Sequence, residues 1–272
     1  MQALNTSTAL IRWESPPFQP LLLGNSDIDV WRAALDLSPL RLQSLQQILT
    51  ADEQGRAERF CFQKDREYFI VARGLLRTIL ALYLDIEPAQ LRFCYNPYGK
   101  PALSAQSGGQ DLHFNLSHSH GLALFAIGRG REVGVDIERI LPELVNEQIP
   151  ERFFSPGEVA TLRELPDELQ PAAFFNCWTR KEAYIKAKGE GLSLELNQFE
   201  VSLAPGEPAA LLRIDGNPQE AARWWLQDLN PGFGYAAALA AEGHRGRLRY
   251  WQWSEELSQR TRETEFRLLA SC

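Results

Sequence analysis

The sequence predicts an α+β protein made of two similar halves. Helical and strand-like patterns come in alternating blocks, and the string Glu-Arg-Phe occurs at Glu58–Phe60 and again at Glu151–Phe153, each time ahead of a longer helix and then strands. The 272 residues fit one large domain or two small ones. A three-residue string also recurs by chance, so both arrangements stay open on the repeat alone. The expected halves are residues 1–129 and 130–272.

The first half begins with strand-like segments and continues with helices. Ala9–Trp13 and Asp27–Trp31 are predicted strands, separated by a proline-rich loop. Ser38, followed by proline and by leucines at helical spacing, predicts a helix N-terminus. A second helix is expected near Ala51. Apolar residues at helical spacing predict a third helix over about Asp65–Leu84.

Short strands then precede a second helical block. The predicted strands are Leu91–Tyr95, His113–Leu116, Leu122–Ile127 and Glu132–Glu138. Ser155, with proline at the next position and glutamate at the third, is a helix start signal, and the helix is expected to reach Leu165. A longer helix is predicted over about Pro171–Lys188, ending at Gly189. The tryptophan-rich remainder is expected to form antiparallel strands.

Composition excludes several classes of protein. Hydrophobic residues make up 44% and charged residues 23%, which excludes disordered and fibrous chains. The net charge of −7 argues against general nucleic-acid binding but allows an anionic ligand in a local basic pocket. No segment reaches the roughly 18 apolar residues of a membrane span, and Met1–Leu10 has neither a basic region nor a long apolar run, so a cytoplasmic protein without a secretory signal or membrane contact is expected. The isolated Cys61, Cys94, Cys177 and Cys272 are expected to be buried free thiols.

Two carboxylates lie on one face of the strand that ends at Glu138. Strict alternation places Val133, Val135 and Ile137 on one face, and Asp136 and Glu138 with a glycine on the other. A surface strand with both acids solvated explains this pattern. The alternative is a hard cation, because magnesium is commonly held by one or two carboxylates together with phosphates and water. The glycine, Gly134, would then leave room for a ligand.

A second polar set lies on the predicted aromatic helix. Trp178, Glu182 and Lys186 are spaced four apart and share one side of that helix. A surface ion pair between Glu182 and Lys186 is the ordinary interpretation and contributes only about 0.3–0.5 kcal/mol. A helix this rich in aromatic residues is mostly buried, however, and buried charges need partners. If Glu182 faces Asp136 and Glu138, the three acids form a metal site and Lys186 reaches a metal-bound phosphate.

Two further segments carry polar groups at strand ends. Ser117, His118 and His120 follow a predicted strand, where hydroxyl and imidazole groups suit phosphate binding. A structural histidine at a turn is the alternative, and zinc is disfavoured because no third ligand stands at a familiar spacing. Asn96–Gly99 has turn chemistry, and the following Lys100-Pro101 could present extended backbone to a purine.

These four segments together resemble the 4′-phosphopantetheinyl transferases, in particular the larger monomeric surfactin type. The matching strings are Tyr98–Pro101, Phe114–Ser119, Gly134–Glu138 and Trp178–Lys186. The resemblance implies two pseudo-symmetric α+β halves with coenzyme A in the cleft between them. It further implies transfer of the phosphopantetheine arm of coenzyme A to a serine of an apo acyl or peptidyl carrier protein, with release of adenosine 3′,5′-bisphosphate.

The resemblance also assigns roles to the acidic residues and to one lysine. Asp136, Glu138 and Glu182 are implied magnesium ligands, with manganese as a substitute. Glu182 is implied to take the proton of the carrier serine, directly or through a bound water. Lys186 is implied to contact the diphosphate and steady the leaving group.

The remaining implied contacts bind the nucleotide. Ser117 and His118 correspond to phosphate-binding residues, with His118 on the 3′-phosphate, where Arg56 is also directed. Lys100 and Pro101 correspond to the segment that lines the adenine. Additional phosphate contacts expected in this chain are Arg73 and Lys181. Two other functions stay open, a magnesium-dependent nucleotide phosphohydrolase and a non-catalytic carrier-protein binder, although the intact acids argue against the second.

Overall fold

The computed structural model describes residues 11–17, 21–145, 148–214 and 217–254. Seven α-helices and eleven strands lie within these ranges. The helices are α1 Pro39–Gln47, α2 Ala51–Ala57, α3 Gln63–Leu84, α4 Gln148–Phe153, α5 Pro156–Glu164, α6 Gln170–Lys188 and α7 Pro218–Ala221. The strands are β1 Ile28–Ala34, β2 Phe93–Tyr95, β3 Pro101–Leu103, β4 Leu112–Ser119, β5 Leu122–Arg129, β6 Val133–Arg139, β7 Phe199–Val201, β8 Leu211–Ile214, β9 Trp224–Leu229, β10 Tyr235–Glu242 and β11 Leu248–Gln252.

The first half places α3 across a four-stranded sheet of order β11-β1-β5-β4. Apolar residues of α3, including Leu75 and Ile79, are fully buried against Trp31 and Phe125 of the sheet. The helix ends at Asp85, which adopts the left-handed conformation with φ of 53°. The 3.6-residue period of the sequence therefore identifies the face that builds this core.

The second half repeats the arrangement with α6 on a three-stranded sheet of order β6-β10-β9. Alanines of β10 such as Ala238 and Ala240 are fully buried beneath the aromatic residues of α6. Gly189 ends the helix in the left-handed conformation, with φ of 72°, which glycine adopts without steric cost.

The two sheets pack face to face, so the helices lie on the outside. Val30 and Leu124 of the first sheet meet Val135, Ile137 and Leu239 of the second in one fully buried cluster. Successive residues of a strand point to opposite faces, which lets each sheet serve a helix on one side and the partner sheet on the other. The α+β class with two similar halves is confirmed.

Several sequence expectations need correction. Strand β11 runs parallel to β1 in the first sheet, so the last strand is not antiparallel and a division at residue 129 does not separate the sheets cleanly. The predicted strand Ala9–Trp13 lies partly outside the described residues, and its described part is not a strand. Cys61 and Cys94 are exposed and Cys177 is buried, while Cys272 lies outside the described ranges. Among the described residues, no helix combines the length and apolarity that a bilayer crossing requires.

Candidate active site

Gly134 brings the two acidic residues of β6 close to helix α6. A side chain at this position would lie 2.1 Å from the Ala183 carbonyl oxygen and 2.3 Å from the Ala187 nitrogen, so only glycine allows the contact. The sequence analysis expected Gly134 to leave room for a ligand. This expectation is wrong, because the backbone of α6 fills the space beside the glycine. Because the side chains alternate, Asp136 and Glu138 point to this same face of the strand.

Polar side chains of β4 bind the neighbouring edge strand β6. Ser117 Oγ donates to Asp136 Oδ1 at 2.8 Å, and Ser119 Oγ donates to Glu138 Oε2 at 2.8 Å. Asn115 Oδ1 accepts from the Val135 backbone nitrogen at 2.9 Å. These three residues occur at every second position and therefore lie on one face of β4. Their hydrogen bonds connect the first sheet to the second and orient the carboxylates of Asp136 and Glu138.

Helix α6 supplies the opposite wall of a pocket of about 410 Å³. Lys186 Nζ lies 2.5 Å from Asp136 Oδ1 and 3.0 Å from Ser117 Oγ, and its side chain is 29% exposed. Glu182, one turn earlier, faces the same pocket. The lining residues are Leu116, Ser117, His118, Asp136, Glu138, Trp178, Glu182 and Lys186.

The surroundings of this pocket disfavour the charged forms of Glu138 and Glu182. Burial raises the pKa of Glu182, the Asp136 charge raises it further, and Lys186 opposes both. Burial and Asp136 likewise raise the pKa of Glu138, against the hydrogen bond from Ser119. The raised pKa values of Glu138 and Glu182 thus favour protonation of these two carboxylates or an additional cation beside them.

The pocket residues suit a magnesium ion chemically, although the side chains are not gathered around one point. Asp136 Oδ2 is buried and accepts no hydrogen bond from any described residue. Carboxylate oxygens of this kind are the ligands that magnesium prefers. Within the described ranges, no three His, Cys, Asp or Glu side chains lie close enough together to hold a metal ion in their present positions. This finding includes the zinc site that the sequence disfavours. Asp136, Glu138 and Glu182 are the residues that would hold the ion.

His118 is the imidazole of the pocket. Desolvation lowers its pKa, and the nearby Lys186 ammonium lowers it further. Burial and Lys186 therefore favour the neutral ring, whereas a bound phosphate would favour the charged form through its negative charge.

The structure does not bring Lys181 or Arg73 to the pocket. Lys181 is fully buried on another face of α6, where Nζ contacts Glu158 at 2.8 Å and the Leu196 carbonyl at 2.7 Å. Arg73 is 5% exposed and forms an ion pair with Glu53 at 2.8 Å. Each cation has a buried anionic partner in its own half, and the two expected phosphate contacts stay predictions.

The other predicted nucleotide residues lie outside the pocket wall. Arg56 is exposed on α2, with its guanidinium 5.6 Å from the Phe69 ring centre. The Lys100 side chain is turned away, with Nζ 2.6 Å from Glu132 Oε2. Only the backbone of Lys100 and Pro101 stays available for an adenine. Their roles stay predictions.

Sequence reasoning missed some members of this site. Ser119, which orients Glu138, and Asn115 carry the same alternating signal that identifies Ser117, and the period-2 pattern could have found them. Trp178 was placed on the correct face of α6 but without a role, and it lines the pocket.

Comparison with known proteins decides the family. A model described as the 4′-phosphopantetheinyl transferase superfamily matches residues 132–240, and one described as 4′-phosphopantetheinyl transferase, N-terminal, matches residues 36–128. The 4′-phosphopantetheinyl transferase HetI of Nostoc sp. is 41% identical over 238 residues, covering 88% of this chain and 96% of the relative. The chain belongs to the 4′-phosphopantetheinyl transferase family.

Other similarities are more distant. The 4′-phosphopantetheinyl transferase Sfp of Bacillus subtilis is 30% identical over 155 residues, covering 57% of this chain and 66% of the relative. The Thermotoga maritima holo-[acyl-carrier-protein] synthase structure aligns with 42% of this chain and 64% of its own, at 21% identity and a TM-score of 0.34. The surfactin-type resemblance and the enzyme class predicted from it are confirmed by the sequence relatives.

Proposed function

We propose that this transferase moves the 4′-phosphopantetheine arm of coenzyme A onto a serine of an apo carrier protein, with magnesium as cofactor. The observation that carries the proposal is the convergence of Asp136, Glu138 and Glu182 with Lys186 on one pocket. Coenzyme A brings about four negative charges, which three carboxylates repel unless cations reverse the local sign. Magnesium, when bound, supplies that charge and offsets the charge that develops at the phosphorus.

The pocket residues divide the chemistry between α6 and the strands. The serine oxygen of the carrier attacks the phosphorus that bears the pantetheine arm, and the bond to the departing adenosine 3′,5′-bisphosphate breaks. Glu182 accepts the serine proton, which suits a carboxylate whose pKa is raised by burial. Lys186 donates to the departing phosphate, while Ser117 and Ser119 keep Asp136 and Glu138 in place.

The nucleotide is bound by His118 of the pocket and by residues outside the pocket wall. His118 meets the 3′-phosphate, and Arg56 is directed to the same group. The backbone of Lys100 and Pro101 lines the adenine. We further propose a cytoplasmic monomer that binds neither membrane nor nucleic acid and whose macromolecular partner is the carrier protein.

The direct test is mass spectrometry on a panel of apo carriers from fatty-acid, polyketide and nonribosomal-peptide synthases. We expect a mass gain of one phosphopantetheine, with stoichiometric adenosine 3′,5′-bisphosphate, that chelator abolishes and magnesium or manganese restores. Asp136→Asn should lower the rate by about 10²–10³-fold, since a metal supplies several kcal/mol. Asp111→Asn is the matched control, because Asp111 is 53% exposed and pairs only with Arg129 among the described salt bridges.

The competing phosphohydrolase hypothesis predicts a different product pattern. A hydrolase would release the nucleotide at the same rate with or without an acceptor protein. Turnover of coenzyme A that is independent of the carrier, with no mass gain on any carrier, would contradict the transferase proposal. Binding of a carrier without any turnover would support the non-catalytic alternative.

A further inference from the structure

The Lys100 side chain connects the first half of the molecule to the end of helix α6. Its ammonium lies 2.6 Å from Glu132 Oε2 and 2.8 Å from the Ala187 carbonyl oxygen. Asn96, at the other end of the same turn, donates from Nδ2 to the Gly189 carbonyl at 2.7 Å. The last carbonyls of a helix have no partner within the helix, so these two contacts restrain the segment that is otherwise least restrained.

Glu132 keeps this lysine in place. Its other carboxylate oxygen lies 3.0 Å from His113 Nδ1. Burial alone would raise the pKa of Glu132, but the hydrogen bonds with His113 and Lys100 outweigh burial and lower it to about 2. The carboxylate is therefore charged at neutral pH and anchors the Lys100 ammonium, whose side chain is only 16% exposed.

Gly189 shows how closely the parts fit. A side chain there would lie 2.8 Å from Lys100 Cδ and 3.2 Å from Asn96 Nδ2. The helix end, the lysine stem and the turn thus pack without free space. Movement of one of them displaces the others, because packed protein interiors deform little.

We propose that Asn96, Lys100 and Glu132 form a clamp that positions the C-terminal turn of α6. Lys186 directly precedes Ala187, whose carbonyl Lys100 holds, so the clamp determines where Lys186 Nζ meets Asp136 and Ser117. Lys100 is a positioning residue in this role, since its side chain points away from the pocket. The catalytic part of the inference rests on the proposed function, whereas the structural part does not.

Hydrogen exchange tests the clamp without any turnover. In Lys100→Met and Glu132→Gln we expect the backbone amides of residues 186–189 to exchange about tenfold faster, with the N-terminal turns of α6 unchanged. Lys188→Met is the matched control, because Lys188 lies on the same turn but pairs with Glu190 and Glu220 instead. Unchanged exchange in both clamp variants, or equal acceleration in the control, would overturn the proposal.

Steady-state kinetics test the consequence for Lys186. Lys100→Met should lower kcat about tenfold and change KM for coenzyme A less than about threefold, the split expected when a group acting in the transition state is misplaced. In a Lys186→Ala background the same substitution should cost about twofold or less, because the positioned group is gone. Equal losses in both backgrounds would refute the link to Lys186. Faster exchange in a chain that transfers nothing to any carrier would retain the clamp and reject the proposed function.

Discussion

Gly134→Ala is the most direct test of how the pocket is assembled. The added carbon would stand 2.1 Å from the Ala183 carbonyl oxygen, on the backbone of α6 rather than on a flexible side chain. An ordinary contact of about 3.3 Å requires the helix to move away from β6 by about 1 Å, because such overlaps are strongly repulsive. That movement separates Glu182 and Lys186 from Asp136.

The expected effects follow from that displacement. Overpacking of a close contact costs about 1–3 kcal/mol of unfolding free energy. Misplacement of catalytic groups by about 1 Å costs about 10²-fold in rate, so activity should fall much more than stability. Gly55→Ala is the matched control, since no atom lies within 4 Å of the added carbon and the position is helical. That control should be about 0.5–1 kcal/mol more stable.

The assay is transfer to an apo carrier under single-turnover conditions, with denaturant unfolding in parallel. We expect Gly134→Ala to remain folded and to transfer about 10²-fold more slowly than the control. Equal rates and equal unfolding free energies for the two variants would show that the helix does not lie against Gly134, and the account of the pocket would be wrong.

Three further predictions concern individual side chains. Glu182→Gln should abolish transfer yet raise the melting temperature by about 2–4 °C at pH 8 in chelator. The pKa of Glu182 is raised above 4.5 in the folded chain, so the stability that its protonated form contributes is lost as pH rises. The melting temperatures of the wild type and the variant should therefore converge near pH 4. Lys181→Met should lower the free energy of unfolding by about 3–5 kcal/mol, because the buried Glu158 loses its cationic partner. Urea titration measures this change, and unchanged stability would contradict a structural role for Lys181. His118→Ala should weaken coenzyme A about tenfold more than its 3′-dephospho analogue in calorimetry, and equal losses would separate the ring from the 3′-phosphate.

Much of the pocket could be predicted because its residues follow local periodicities. The alternation of side chains in β6 placed Asp136 and Glu138 on one face of the strand. The spacing of four residues on α6 placed Glu182 and Lys186 on one side of the helix. The capping signal at Ser155 was confirmed by its hydrogen bond from the Glu158 backbone nitrogen at 3.2 Å. Such patterns need no knowledge of distant neighbours.

The errors concern residues whose role depends on what packs against them. Lys181 stands five positions from Lys186, about 140° around the helix, so the spacing already separates the two lysines. What the spacing does not reveal is that Glu158 forms a buried ion pair with Lys181. Similarly, the space beside Gly134 is filled by α6, and only the packed structure distinguishes a helix from a ligand there.

The parallel pairing of β1 with β11 has a consequence for the order in which the chain matures on the ribosome. Ile28 aligns with Leu248, so the N-terminal sheet lacks one neighbour of β1 until the chain has been synthesised past Leu248. A nascent first half therefore has an open edge that could pair with other chains, and a C-terminal truncation before Leu248 harms the N-terminal sheet as well as its own half. Folding of the two halves is thus completed by one late event.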